Sequence, residues 1–269
     1  ECSMCDAPAG QPARSCRMPR FEPTIPFGEP DLMRASSFQR YLDELARKSD
    51  RWSVSTRLSS LSPSLTQDLQ RFEQNGRSAD VLEVVAACMR HARSATVHLR
   101  CRERALPLTL FPRDRVAHCA LDLAAYLATT AGQVEPLDVL QVEPAQLRPP
   151  SDPDRRLVGA PLLYRPLPAL LWALAVHGRR ADLLIEVAGT AVYRVSPALD
   201  LSTLPEGGPL VDATLRLRRE VASLREIASW PGMGRERASR LLNALYLQAG
   251  LIVSRSHPAA LGDSWFGRA

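Results

Sequence analysis

Lysine is nearly missing from this 269-residue chain. Lys48 is the only one, and the other 33 basic side chains are arginines. Aromatic residues make up only 6%. No run reaches the roughly 18 apolar residues that a membrane span needs. The longest candidate, Pro166 to Val176, is too short and has Arg165 at its edge. No Walker-type glycine loop and no nucleophile elbow occur, so the commonest frames for nucleotide and ester hydrolysis are absent. What remains, 45% hydrophobic and 23% charged, is ordinary for a globular chain and excludes wholesale disorder, collagen and a coiled-coil rod. The arginine bias, with 22 prolines, reads as a GC-rich bacterial genome rather than a physical requirement.

Six cysteines are present, at 2, 5, 16, 88, 101 and 119. A chain this long does not need disulfide staples to hold a core, so a reducing, cytoplasmic setting is expected. Cys2 and Cys5 form a C-x-x-C, with Cys16 further on. Three thiolates could bind zinc but need a fourth ligand, and no Cys or His follows before Cys88. Residues 1–35, rich in Pro and Gly, are read as a flexible leader carrying incidental thiols. The chain begins at Glu1 rather than methionine, so a segment removed ahead of it stays open.

The periodic part starts with a helical arm, 36–77. Phe38, Tyr41, Leu42 and Leu45 follow helical spacing, and a second, polar helix runs around Leu65 to Phe72. A first helix-plus-β-hairpin unit follows at 78–146. Val81, Val84, Val85 and Cys88 line one helix face, and Ala95 to Cys101 alternates as a strand. Leu106 to Phe111 is expected to return beside it, confined to an edge or started late by Pro107. Val116 to Cys119 is expected as a further short strand. The pattern recurs 86 residues later: Val81–Cys101 aligns without gaps on Leu167–Val187, with His91 on His177, Arg93 on Arg179 and Ala95 on Ala181. This predicts a second helix-plus-hairpin unit at 160–212, joined through a linker at 147–159.

Residues 213–256 read as a winged helix-turn-helix-like module, followed by a tail at 257–269. Ala213 to Glu220 is a strand or short helix. Ser223 and Glu226 have capping-box spacing ahead of a short helix. A turn, Pro231 to Gly234, leads to a helix from Arg235 to Gln248 that buries Ala238, Leu241, Leu242, Ala244, Leu245 and Leu247. Gly250 is the expected C-cap and Leu251 to Ser254 a strand. The module carries eight arginines against three acids, an excess equal to the net charge of +5 of the entire chain. The expected fold class is therefore α+β: two repeat units and a C-terminal winged-helix-like module.

A helix ending in small or basic residues (Asp80–Ala92), a strand (Thr96, Val97, Leu99), a return ending in Phe111, then Arg113-Asp114-Arg115-Val116-Ala117 is similar to the bacterial PATAN domain. The C-terminal SLREIA…RLLNALYLQAGLIV resembles the degenerate winged helix that often follows it. The resemblance implies a cytoplasmic signalling adaptor associated with two-component or Ras-like GTPase systems, without an active site.

The candidate contacts are few. Arg235, Arg237 and Arg240 begin the last long helix, where DNA or a partner protein would be met. Arg113 and Arg115 could grip an anion. Cys2, Cys5 and Cys16 are the candidate metal set. His98 and Cys101 point to opposite strand faces, and Cys88 with His91 reads as a buried thiol beside a surface imidazole. The expected function is a non-enzymatic scaffold or adaptor without a cofactor, binding a partner protein such as a small GTPase or response regulator. Self-association is compatible with it, and no membrane partner is expected. The alternatives are a DNA-binding regulator and a zinc or nucleotide sensor.

Overall fold

The computed structural model describes residues 32–49, 63–74, 80–129, 137–203 and 207–255. All belong to one compact unit, Leu32 to Ala269, of the two into which the chain divides. It is mixed α and β, with two antiparallel sheets.

Helices α1 (Ala35–Ser49) and α2 (Pro63–Gln74) precede α3 (Val81–Arg90). Asp80 starts α3, its side chain accepting from the Leu82 N–H at 3.0 Å. The face Val81, Val84, Val85 and Cys88 is buried as its spacing requires. α2 lies on α3 through His91, whose Nε2 is 2.8 Å from Asp68 and whose Nδ1 is 3.3 Å from Ser64. Arg90 shares the same Asp68 at 3.1 Å, so this Ser–His–Asp group ties two helices together.

Strands β1 (Ala95–Cys101), β2 (Arg104–Phe111), β3 (Val116–Cys119), β4 (Asp138–Pro144) and β5 (Tyr164–Pro166) form one sheet in the order β4-β1-β2-β3-β5. Alternation places Val97, Leu99, Leu106, Leu108 and Leu110 in the core. β2 is a central strand despite Pro107. Its pairing with β3 begins only at Leu108, so the proline precedes the two-sided part of the ladder. On the opposite face Thr96 meets Thr109 at 3.0 Å, and Phe38 of α1 stacks on His98 at 4.7 Å.

The expected linker is a strap across that face. Tyr164 Oη donates to the Arg148 carbonyl at 2.5 Å and accepts from the Gly159 N–H at 2.9 Å. Its ring stands edge-on to His118 at 4.8 Å. A Cβ on Gly159 would come within 2.5 Å of His118 Nε2, so only glycine allows this approach. That Nε2 is buried without a hydrogen-bond partner among the described residues. Burial holds the His118 pKa below its ordinary value of about 6.5, because an imidazolium here would be desolvated. As pH falls, the unfolded chain takes the proton first. The stability His118 confers is therefore full above about pH 6.5 and is lost as pH falls through the lowered folded value. Urea midpoints measured from pH 7.5 to 5 should fall, and should fall less in His118→Leu. An unchanged slope in the variant would reject the assignment.

Helix α4 (Leu123–Thr129) precedes β4, and α5 (Leu167–His177) follows β5 without a gap. α5 is apolar on every side and buried from Leu167 to Ala175 except Ala169, packing on β3, α4 and a later helix, Arg235–Leu247.

Beyond α5 the structure departs from the repeat. Residues 179–191 contain no strand, so only the first unit is a helix plus hairpin. Leu184 and Val187, three apart, are both buried, while Ile185 is 77% exposed. That is the spacing of a helical turn, and the N–H groups of Val187 and Ala188 both reach the Leu184 carbonyl. Strand β6 (Val192–Val195) instead joins β7 (Ala222–Ser223) and β8 (Leu251–Ser254) in a three-stranded sheet, order β7-β6-β8.

Candidate functional site

Helix α6 (Pro209–Arg219), β7, α7 (Leu224–Ala228), a turn, α8 (Arg235–Leu247) and β8 make the arginine-rich end. The strand or short helix expected at 213–220 is the latter part of α6, opened by Pro209 at its first position. Three arginines in its last turn, 216, 218 and 219, lie where the helix dipole favours cations. Arg216 stacks over Trp230 at 4.3 Å and pairs with Glu220. Arg218 donates to the Pro197 carbonyl at 2.6 Å.

The capping box at Ser223 forms in both directions: the Ser223 N–H reaches Glu226 Oε2 at 2.7 Å, and the Glu226 N–H reaches Ser223 Oγ at 3.3 Å. The following turn depends on Gly232 (φ 71°) and Gly234 (φ 119°). α8 ends in a Schellman motif whose left-handed residue is Ala249 (φ 56°) rather than Gly250. The Gly250 N–H closes on the Leu245 carbonyl at 2.8 Å, and Gly250 is small because Leu199 lies against it.

The three predicted arginines on α8 separate. Arg235 and Arg237 are exposed in the first turn, with Arg237 donating to the Gly232 carbonyl at 2.7 Å. Arg240 turns inward. Its Nη1 donates to the carbonyls of Val176 and Gly178 at 3.1 and 2.5 Å, and its Nε to Glu236 at 2.9 Å. It caps the carbonyl end of α5 and is no part of an outward basic surface. From Ala238 to Gln248 α8 is buried apart from the half-covered Arg240 and Tyr246, with α5 packed along it.

Two residues with no predicted role organise the neighbourhood. Asn243 is fully buried, donating from Nδ2 to the Asp182 carbonyl and accepting from the Leu184 N–H, each at 2.9 Å. Its amide supplies the pairing that a second hairpin strand would otherwise need. Arg180 donates to Asp80 at 3.2 Å, to Glu83 at 2.5 Å and to the carbonyls of Asp182 and Leu183. Although burial works against it, the bonds and charges of Glu83 and Asp80 leave its pKa above the usual arginine value. The signal for Asn243 was in the sequence: an amide embedded among leucines on a buried helix needs partners.

The remaining candidates do not converge. Arg113 and Arg115 are exposed on the β2–β3 turn, with Arg115 at φ 56°. The intervening Asp114 accepts from Ser151 at 2.6 Å, which docks the turn on the strap. Burial pushes the thiols of Cys88 and Cys119 up to about 12, so neither is a thiolate near neutral pH. Cys2, Cys5 and Cys16 lie outside the described residues. Among the described residues no three His, Cys, Asp or Glu side chains gather as metal ligands, and no helix is long and apolar enough to cross a membrane.

Comparison of the chain with protein-family models, with curated proteins and with solved structures finds no match.

Proposed function

We propose that the chain is a non-enzymatic scaffold or adaptor that binds a partner protein through its arginine-rich end. The covered state of α8 carries this reading. A helix that reads DNA must lay an exposed face into a major groove about 12 Å wide. Here α5 occupies that side of α8, and Arg240 is bound to α5. What stays outside is a basic first turn, Arg235 and Arg237, and on α6 Leu215, Arg216 and Arg219 are exposed as well. Exposed apolar and cationic groups on packed helices suit a protein contact.

The helix-turn-helix with its small sheet is read as a degenerate winged helix, and the first hairpin unit as PATAN-like. On that reading the partner is a cytoplasmic GTPase or response regulator. The outer edge of β4 has no neighbouring strand among the described residues, which offers a second copy a place to pair.

The test is a pull-down from nuclease-treated lysate with the intact chain and with Arg235→Glu/Arg237→Glu, both charges being exposed. A protein partner retained by the intact chain, and then bound as a purified component by it but not by the variant, is the expected result. If the only ligand is duplex DNA, with affinity that falls steeply with salt, the adaptor reading fails and a DNA-binding regulator replaces it.

A further inference from the structure

A cleft of about 500 Å³ opens between the start of α3 and the end of α5, and Arg235 and Arg237 are not among its lining residues. Its volume is in the range that holds small-molecule ligands. Its apolar lining is Val81, Leu82, Leu127, Leu137 and Leu174. The polar lining is His177, Arg179 and Arg240, with Asp80 and Arg180.

The first three polar groups are under-used by the protein. Among the described residues Arg179 has one ion partner, Asp138, at a loose 3.9 Å, and its side chain is 74% exposed. His177 has no hydrogen bond to any described residue, and burial together with the charge of Arg240 holds its pKa below the usual value, which favours the neutral ring with one N–H to give. Arg240 uses Nε and Nη1 on the protein but leaves Nη2 without an acceptor among the described residues.

The other charges at the cleft are accounted for. Asp80 and Glu83 are held by Arg180, and Glu236 by Arg240. Neither helix end decides the matter, because Asp80 caps α3 and Arg240 caps α5. Hydrocarbon lining beside three groups that each keep N–H capacity to spare, two of them permanently cationic, defines the missing complement.

We infer that this cleft binds a small anion with an apolar body, of the carboxylate or phosphate-monoester class, its head on Arg179, His177 and Arg240 and its hydrocarbon against α3 and α5.

Calorimetric titration of the full chain with octanoate and with octyl phosphate tests this, using octanol and octylamine as neutral and cationic controls. Saturable one-to-one binding of at least one anion is expected, in the range of about 0.1–1 mM that roughly ten heavy atoms support. Arg179→Glu, whose exposed side chain lets the fold stand, should weaken it about tenfold or more, and His177→Leu should weaken it less. The preferred head group decides between carboxylate and phosphate. No saturable binding of either anion, equal binding by Arg179→Glu, or equal binding of octanol would each overturn the inference.

Discussion

Replacing Asn243 by Leu should lower the thermal midpoint by roughly 6–12 °C, from a loss of about 3 kcal/mol. Leucine is close in size and leaves no large hole in α8, so the loss is not one of packing. It comes from stranding the Leu184 N–H and the Asp182 carbonyl, which the Asn243 amide satisfies inside the protein. A buried polar group left without its partner costs about 1–3 kcal/mol, and here there are two. Asn243→Asp should fail as well, since a carboxylate accepts from Leu184 but cannot donate to Asp182. A midpoint for Asn243→Leu within a degree of the parent would mean that residues 182–184 are held by something else.

Gly178→Ala should be comparably damaging, at about 3–5 kcal/mol. The backbone there has φ −68° and ψ 179°, which any residue can adopt, so conformational freedom is not the issue. The added Cβ would stand 2.1 Å from the Leu174 carbonyl oxygen, a backbone atom that already accepts the Gly178 N–H. Relief requires moving the chain at the end of α5, and the Gly178 carbonyl then leaves Arg240. Gly250→Ala is the useful contrast. Its Cβ would approach the tips of Leu199, which can rotate aside, and about 1 kcal/mol is expected. Equal stability of Gly178→Ala and the parent in urea unfolding would remove this account of the α5 terminus.

The parts of the fold that were readable ahead of the structure are those fixed by near neighbours. The Val81, Val84, Val85, Cys88 stripe, the alternation of Ala95 to Cys101, the Ser223 capping box and the buried positions of α8 are each set within a few residues. Distant partners governed what was misread. Residues 181–187 have a strand-like composition, yet Asn243, about 60 residues on, binds the Asp182 carbonyl and the Leu184 N–H and holds them in a turn. The helix at α5 was legible from the repeat, although it carries no periodic signal, being apolar all round and buried but for Ala169. β4 was not anticipated: all seven residues are half-buried, so no clean alternation marks it. Arg240 was placed correctly on its helix, but its direction depended on the exposed carbonyls of α5, which only the packing reveals. The cleft was invisible for the same reason, since Leu82, Leu127 and Arg179 come from three separate segments.

The strand order β7-β6-β8 bears on how such a module could have arisen and spread. β6 lies upstream of α6, yet it is the middle strand of the small sheet, pairing with both others. A gene fragment encoding only 207–255 would therefore carry two outer strands with no centre, and would lack the helix that covers α8. The arginine-rich end is thus no self-contained cassette: its middle strand and the cover of α8 come from the segment that begins at α5.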